Sequence, residues 1–500
     1  MKLYSTRDMN TITDSKEAII KGLSDDGGLF CPRYEDIAKN KFDIKDLTNL
    51  SYKKLAKKVF QIMLSDFSEK ELEVCIDNAY NDKNFEGYGE IIAPTSKIGD
   101  NFLLELYHGP TSAFKDVALT ILPQFLSEAY KSKNENKKVY ILTATSGDTG
   151  KAALSGFKDV ENVFITVFYP TDGVSEIQKK QMATSEGENV SVVALDGDFD
   201  DCQRLVKEIY TDDNIKKICD EYSTVLSSAN SINIGRLVPQ IVYYIYSYIE
   251  LVNKKLINIY DKVNFVVPTG NFGDILAGYI AKILGLPVDK FICASNDNNV
   301  LTDFINTGVY DKNRRLYKTI SPSMDILVSS NLERLLFLLS DDSSYIKSLM
   351  NELKEKGRYK ISDELLSKIK ENFVGYYATE DECKNSIKEA FDKDKRLIDT
   401  HTAVAYATLK KYQNIAKNDI PTIILSTASP YKFSRAVLDT ICGENNESLD
   451  DYSLIDKLYS VSNEPVPKNL SALKEKKVRF DTVLSFADCK NYVINKIKEI

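Results

Sequence analysis

The sequence has very little histidine and no closely spaced cysteines. Its only histidines are His108 and His401, so a metal site built from several histidines of one chain is not expected. The 8 cysteines are scattered and form no CxxC pair, which favours buried, reduced thiols. We therefore expect no metal ion.

Long apolar runs are also missing. The most apolar stretch, residues 237–252, is interrupted by Pro239, Gln240 and Glu250, and it is shorter than the roughly 20 apolar residues of a membrane helix. The first residues, MKLYSTRDMN, have no apolar core of a secretory signal. We expect a cytoplasmic protein without a membrane segment.

An excess of positive charge is absent as well. Lys plus Arg number 65 and Asp plus Glu number 73, so the net charge is −8 and broad nucleic-acid binding is not expected. Hydrophobic residues make up 43% and charged residues 28% of the chain, as in ordinary globular proteins. A local basic pocket for a phosphate stays compatible with this balance.

Short apolar runs alternate with helical patterns along most of the chain. Such continuous runs are typical of parallel strands buried on both faces, so an α/β fold is predicted. The predicted strands are 102–107, 139–145, 163–169, 190–196, 263–268, 291–295 and 422–426. We predict a helical N-terminal domain (1–95), a catalytic core (96–300), a mostly helical insertion (301–395), and a return to the core that ends in a helical segment (396–500).

Three of these strands are followed by a small polar loop and then a helix. The loops begin at Ser146, Thr269 and Thr427, and the first two contain two glycines each. Glycines let a backbone approach an anion, and a helix N-terminus adds free N–H groups. Each loop alone is equally compatible with a structural turn. The chain contains neither a Walker A loop nor a GxGxxG after a strand.

Lys115 follows a Gly-Pro turn and lies where an apolar helix begins. A lysine in this position is in an unfavourable helix field, because cations prefer the C-terminus. One interpretation is a solvated surface lysine. The other is an amine with a lowered pKa that forms a Schiff base. Such a lysine together with a phosphate-binding glycine loop is the combination that pyridoxal phosphate needs.

At this point the chain resembles the threonine synthases, in particular their longer microbial and fungal type. The main motifs are HGPTSAFKD (108–116), TSGDTG (145–150) and PTGNFGD (268–274). Further matching segments are 4–7, 22–30, 230–236, 321–336, 399–405 and 426–433, in the family's order. The resemblance implies fold type II, the tryptophan-synthase-β type, with two parallel-sheet lobes around pyridoxal 5′-phosphate.

The resemblance also implies roles for the cofactor-binding residues. Lys115 is similar to the catalytic Schiff-base lysine, and Thr427 to the hydroxyl partner of the pyridine nitrogen. Asp148 stands where relatives of this fold type have an Asn near the ring's 3-oxygen, and a carboxylate there needs a proton or another partner. The implied cofactor-phosphate loop consists of Gly270, Asn271, Phe272 and Gly273.

The family's substrate is O-phospho-L-homoserine, so the resemblance implies a second phosphate site. Its implied substrate-binding residues are Thr145, Ser146, Thr149, Asn230, Ser231, Asn233 and Arg236. Without the resemblance, residues 230–236 are also compatible with a helix cap. His401 is either a structural histidine or a group that lines the site.

The implied reaction is γ-elimination of phosphate followed by β-hydration to L-threonine, in a monomer or homodimer. Two alternatives stay open: a related phospho-lyase that releases 2-oxobutanoate, ammonia and phosphate, and a non-catalytic cofactor-binding protein. The chain departs from the family pattern at Asp8, Thr400 and Ser429, where Gly, Pro and His are common. Because Ser429 is two residues from Thr427, it bears on reaction specificity.

Overall fold

A computed structural model describes residues 1–133, 137–145, 147–171 and 174–500. The predicted Ser146 lies outside the described residues. In the described part of the chain the strands are, in order, β1 (Leu3–Ser5), β2 (Asp8–Thr13), β3 (Phe30–Cys31), β4 (Thr95–Ile98), β5 (Asn101–Glu105), β6 (Lys138–Ala144), β7 (Val163–Pro170), β8 (Val190–Leu195), β9 (Thr224–Ser227), β10 (Val263–Pro268), β11 (Val288–Ser295), β12 (Val309–Asp311), β13 (Arg358–Lys360), β14 (Phe373–Tyr377), β15 (Thr422–Ser426) and β16 (Val483–Leu484).

Helices cover these strands and form most of the N-terminal domain and the 301–395 region. In chain order they are α1 (Ser15–Lys21), α2 (Tyr34–Ala38), α3 (Tyr52–Met63), α4 (Glu69–Ala79), α5 (Lys115–Leu119), α6 (Leu122–Lys133), α7 (Asp148–Phe157), α8 (Glu176–Ala183), α9 (Phe199–Thr211), α10 (Asp213–Glu221), α11 (Ile234–Asn253), α12 (Gly273–Ile283), α13 (Val300–Thr307), α14 (Leu332–Ser340), α15 (Ser343–Lys356), α16 (Asp363–Asn372), α17 (Glu380–Asp394), α18 (Thr400–Ala416), α19 (Ser434–Cys442), α20 (Asp451–Ser462), α21 (Lys468–Ser471) and α22 (Phe486–Glu499).

Two sheets of mostly parallel strands form the centres of two lobes. One has the order β14-β11-β10-β15-β5-β4, in which only β4 is antiparallel to its neighbour, and the other has the order β16-β8-β7-β6-β9 with parallel pairing throughout. Every residue of β10 and β15 is buried, as expected for strands covered on both faces. The α/β fold with two parallel-sheet lobes is confirmed.

The N-terminal region is helical but also contains a small antiparallel sheet that the sequence analysis did not predict. Its order is β2-β1-β3, and Tyr4 of β1 lies opposite Cys31 of β3. These strands have only two to six residues, so they are too short to give a clear alternation. The longest helices of the predicted helical N-terminal domain are α3 and α4.

The 301–395 region is mostly helical, yet it also adds a strand to the core. Phe373 to Tyr377 form β14, which pairs in parallel with β11 at the edge of the first sheet. Near the chain end, β16 pairs in parallel with β8 of the second sheet. The domain boundaries therefore stay predictions.

Helix α11 passes through the interior between the N-terminal helices and the first sheet. Most of its residues are buried, including Tyr243, Tyr244 and Tyr248. None of the helices in the described ranges is both long enough and apolar enough to span a bilayer.

Candidate active site

The start of helix α5 is joined to the loop that follows strand β15. The Phe114 N–H donates to the Thr427 carbonyl at 2.8 Å, and the Ser429 N–H donates to the Ser112 carbonyl at 3.0 Å. These two hydrogen bonds hold Lys115, the first residue of α5, beside the carboxyl end of β15. In parallel sheets this is the end where ligands bind.

The Lys115 amine is largely buried and lies near both acidic and basic groups. Only 12% of its side chain is exposed. Burial lowers the pKa of Lys115; Asp148, whose Oδ2 is 3.8 Å from Nζ, opposes this change, while the charges of Lys432 and Arg236 add to it. The net effect is a pKa below the ordinary lysine value. A larger uncharged fraction at neutral pH is what a nucleophilic amine requires.

Asp148, the first residue of helix α7, is an ionised carboxylate with a close cationic partner. Lys432 Nζ lies 2.6 Å from Asp148 Oδ1, and Gln178 Nε2 donates to the same oxygen at 3.0 Å. Burial alone would raise the pKa of this carboxyl, but the charges of Lys432 and Lys115 outweigh it and hold the pKa well below its usual range. Lys432 is thus the partner that a carboxylate at this position needs.

Sequence reasoning did not single out Lys432. Its side chain has no exposed surface, and its ammonium also donates to the Thr111 carbonyl at 3.0 Å. The available signal was a lone lysine inside the run 426–433, which otherwise consists of small, aromatic and hydroxyl residues. A charge in such a buried run requires a partner elsewhere in the fold.

The loop before Lys115 is closed by its neighbour Asp116. The Thr111 N–H and Oγ1–H donate to this carboxylate at 2.9 and 2.6 Å. A Cβ at Gly109 would lie 2.4 Å from Asp116 Cβ, so only glycine fits there. These contacts restrict the conformation of the loop immediately before Lys115.

The predicted cofactor-phosphate loop connects β10 to helix α12. The backbone N–H groups of Gly270, Asn271, Phe272 and Gly273 donate to no group in the described part of the chain. Phe272 has a φ of 61°, which turns the chain into the helix. Free N–H groups at a helix N-terminus form a ready anion site.

Residues of the 301–395 region fix the outer side of this loop. The Ser329 hydroxyl donates to the Gly270 carbonyl at 2.7 Å, and the Asn331 backbone and side-chain N–H groups both donate to the Asn271 carbonyl at 3.0 Å. A Cβ at Gly270 would lie 2.9 Å from the Ser323 carbonyl oxygen. The loop carbonyls are thus satisfied while its N–H groups stay free.

His401 contacts Ser323, the residue whose carbonyl lies close to Gly270. Its Nδ1 lies 2.8 Å from Asp399 Oδ2, and its Nε2 accepts from the Ser323 N–H at 3.2 Å. Because Nε2 accepts this hydrogen bond, Nδ1 is the ring nitrogen that can donate to Asp399. His401 therefore has a structural role that holds Ser323 against the phosphate loop.

Arg236 is a buried guanidinium with unused hydrogen-bonding capacity. Its Nη1 donates to the Ala229 carbonyl at 2.6 Å, whereas its Nε has no partner among the described residues. Burial lowers the pKa of Arg236 to about 10. An unpaired guanidinium N–H near Lys115 is suited to a second anion.

The other predicted substrate residues divide into two groups. Asn233 caps helix α11, and its Nδ2 donates to the Ile19 and Ser228 carbonyls. Its side-chain amide therefore has a structural role. Thr145 Oγ1 accepts from the N–H groups of Gly147 and Gly150 and shapes the start of α7. The partly exposed residues are Thr149, Asn230 and Ser231.

Asp274 is a further buried group that sequence reasoning did not assign. It follows Gly273 in α12, and the hydroxyls of Tyr243 and Tyr244 donate to its Oδ1 at 2.6 and 2.8 Å. Its Oδ2 has no partner in the described ranges. Burial raises the pKa of Asp274 to about 6, although both tyrosines oppose the change.

The donor set fits pyridoxal phosphate. A row of free N–H groups at Gly270–Gly273 suits its phosphate, and the Lys115 amine suits its aldehyde. The family model described as "Pyridoxal-phosphate dependent enzyme" matches residues 96–427. Fold and site together define a pyridoxal-phosphate-dependent enzyme of fold type II.

Two more family models match the N-terminal and C-terminal parts of the chain. "Threonine synthase N terminus" matches residues 2–80, and "Threonine synthase, C-terminal" matches residues 402–493. The chain belongs to the threonine synthase family.

Solved structures and a curated relative agree with this assignment. The structure of threonine synthase from yeast has a TM-score of 0.88 and 31% identity, covering 100% of this chain and 99% of that one. Pyridoxal-phosphate-bound threonine synthase from Brucella melitensis has a TM-score of 0.85 and 35% identity over 99% of both chains. Human threonine synthase-like 1 is 40% identical over 436 residues, which are 85% of this chain; the match spans 58% of the human protein.

Proposed function

We propose that this protein converts O-phospho-L-homoserine and water to L-threonine and phosphate. The observation that supports this proposal most strongly is the pairing of two anion sites with one amine. The charges of Arg236 and Lys115 interact, and Lys115 also interacts with Asp274, the residue that follows the free N–H groups of the Gly270–Gly273 loop. A cofactor phosphate and a substrate phosphate together need two such sites.

Lys115 moves protons in this proposal. When bound, the cofactor supplies the electron withdrawal that acidifies hydrogens on the substrate's α and β carbons. Lys115 Nζ accepts the α proton, because its lowered pKa leaves more of the amine uncharged. Asp148 and Lys432 keep this amine in a fixed electrostatic environment. Their positions are set before substrate binds, which removes an orientational cost.

Arg236 holds the leaving phosphate. The guanidinium is buried and anchored through Nη1, so its Nε is pre-oriented. Holding the phosphate lowers the barrier to its departure, because the charge that develops on the leaving oxygen faces a fixed cation. Thr149, Asn230 and Ser231 are the proposed neutral contacts to substrate.

The cofactor contacts belong to the same proposal. Gly270, Asn271, Phe272 and Gly273 would bind the cofactor phosphate, and Thr427 would be the partner of its pyridine nitrogen. Asp148, as an ion pair with Lys432, would be the group near its 3-oxygen. A cytoplasmic location and a monomeric or homodimeric state stay predictions.

The test is incubation of the cofactor-loaded protein with O-phospho-L-homoserine, followed by proton NMR and a phosphate assay. Threonine that forms in step with phosphate supports the proposal. Phosphate with 2-oxobutanoate favours the phospho-lyase alternative, and Ser429→His is then the first variant to make. No phosphate release would refute both enzymatic functions for this substrate.

A variant pair tests the role of Lys115. Lys115→Ala should lose nearly all turnover and the yellow colour of bound cofactor. Lys131→Ala is the matched control, because Lys131 is an exposed lysine paired with Glu128. Substantial turnover in Lys115→Ala would remove Lys115 from the mechanism.

A further inference from the structure

A small cavity is lined in part by Pro110, which belongs to the loop that precedes Lys115. Its volume is about 170 Å³. This is below the roughly 300 Å³ at which ordinary small-molecule pockets begin, so it suits a single small ion. It is formed by helix α7, the segment after α8 and the C-terminal segment around α21. The polar groups of its lining that matter here are Lys151, Lys158, Ser185, Glu186, Asn469 and Lys476.

Positive charge exceeds negative charge in this lining. Three lysines face one carboxylate, and Glu186 is shared by Lys158 at 2.8 Å and Lys476 at 3.2 Å. Lys151 has no carboxylate partner in the described part of the chain; its Nζ donates to the Ser185 hydroxyl at 3.1 Å. Ammonium groups in such excess favour an anion of charge near −2.

The environment of Lys151 leads to the same conclusion. Burial lowers the pKa of Lys151 to about 8; the charges of Lys476 and, less strongly, Lys432 add to this, while those of Glu186 and Asp116 oppose it. An anion bound in the cavity would raise the pKa of Lys151 again and keep its ammonium group charged.

One lining atom indicates which kind of anion fits. Gln181 lines the cavity, and its Oε1 is buried with no partner among the described residues. This oxygen can only accept a hydrogen bond, so an anion that also carries an O–H donor would satisfy it. Hydrogenphosphate combines two negative charges with one O–H group.

We propose that this cavity binds a small doubly charged oxyanion of the hydrogenphosphate class, held by Lys151, Lys476 and Lys158. The site is distinct from the two anion sites of the proposed active site, and it does not rest on the proposed function. The cavity and the proposed active site share helix α7, in which Lys151 is three residues after Asp148.

The cavity wall is linked directly to the active-site loop. Asn469 Nδ2 donates to the Pro110 carbonyl at 2.7 Å, and the Ser112 hydroxyl donates to Asn469 Oδ1 at 3.0 Å. A bound oxyanion would connect α7, this loop and the C-terminal segment. Anion binding should therefore raise the melting temperature of the protein.

Calorimetric titration of the cofactor-loaded protein with inorganic phosphate tests the proposal. Lys151→Met should weaken one phosphate-binding event at least 10-fold, since it removes the deepest ammonium but keeps most of the side-chain volume. Lys476→Met should weaken the same event. Lys216→Met is the control, because Lys216 is an exposed lysine paired with Asp213 on α10.

Two further measurements separate this site from the active site. Arg236→Met should leave the Lys151-dependent event unchanged. Arsenate, which has the same charge and protonation as phosphate, should give an anomalous scattering peak beside Lys151 Nζ in crystals. An unchanged isotherm in a folded Lys151→Met protein, or a peak confined to the active site, would overturn the proposal.

Discussion

The buried pair of Asp148 and Lys432 allows a quantitative prediction about stability. Its Nζ–Oδ1 distance is 2.6 Å, and the two side chains are 3% and 0% exposed. Removing one partner of such a pair leaves an uncompensated buried charge, which typically costs roughly 3–5 kcal/mol. Lys115, 3.8 Å from Asp148, compensates part of that charge. We therefore expect Lys432→Met to destabilise the cofactor-free protein by about 3 kcal/mol.

A double-mutant cycle isolates the pair from other effects of the substitution. Lys432→Met, Asp148→Asn and the double variant should give a coupling free energy of about 2–3 kcal/mol in urea unfolding. The matched control is the exposed pair Lys356 and Glu352, with a similar distance of 2.7 Å but 62% and 37% exposure. That pair should give about 0.5 kcal/mol or less, because water screens it.

The comparison between the two cycles decides the outcome. If the buried pair couples no more strongly than the exposed pair, burial does not strengthen this interaction and the argument for Lys432 fails. A second readout is the pH dependence of cofactor attachment to Lys115. Because Lys432 lowers the pKa of Lys115, Lys432→Met should move the attachment profile to higher pH.

Three other predictions concern groups around the phosphate loop. The pKa of Asp274 is raised from 3.8 to about 6, so its contribution to the free energy of unfolding is complete below pH 4 and is lost as pH rises through 6. The stability of Asp274→Asn relative to the wild type should therefore increase by up to about 3 kcal/mol between pH 4 and pH 7, at roughly 1.4 kcal/mol per pKa unit. Gly270→Ala should weaken cofactor binding at least 10-fold, because its Cβ would lie 2.9 Å from the Ser323 carbonyl. His401→Phe should also weaken cofactor binding, whereas His401→Gln, which retains an acceptor for the Ser323 N–H, should restore part of it.

Each of these predictions has a direct check. Urea unfolding at several pH values measures the first, and parallel pH profiles of variant and wild type would contradict it. Fluorescence or absorbance titration with pyridoxal phosphate measures the other two. Gly443→Ala is a control for general destabilisation: with a φ of 67° it strains the backbone at the end of α19, where nothing lies within 4 Å of the Cβ position, and it should leave cofactor affinity unchanged. Equal affinity in His401→Phe and the wild type would exclude the link through Ser323.

Local patterns were sufficient for the core strands and the main loops. The run 263–268 predicted β10 with the bounds that the structure has, and 422–426 did the same for β15. Burial on both faces of a parallel sheet requires continuous apolar residues, and this requirement is visible in the sequence itself. The Gly270–Gly273 loop could also be predicted from the sequence. Where another group lies very close to the backbone there is no room for a side chain, and the sequence then has glycine.

Other features depend on residues that are far apart in the chain. The N-terminal sheet pairs strands too short to show a pattern, and β14 lies within a mostly helical region. Asn233 was predicted for substrate, yet its amide caps α11 and supports Ile19. The sequence of a motif does not distinguish a polar side chain that contacts a ligand from one that hydrogen-bonds to the backbone.

The sequence alone determined the α/β class, the position of Lys115 and the glycine loop, because these follow from burial and backbone geometry over a few consecutive residues. Only the tertiary structure decided that Lys432 neutralises Asp148, that His401 supports Ser323, and that Lys151 faces Lys476 across a cavity. Electrostatic partners are chosen by distance in space and by removal from water, and neither quantity is encoded in the spacing of residues along the chain.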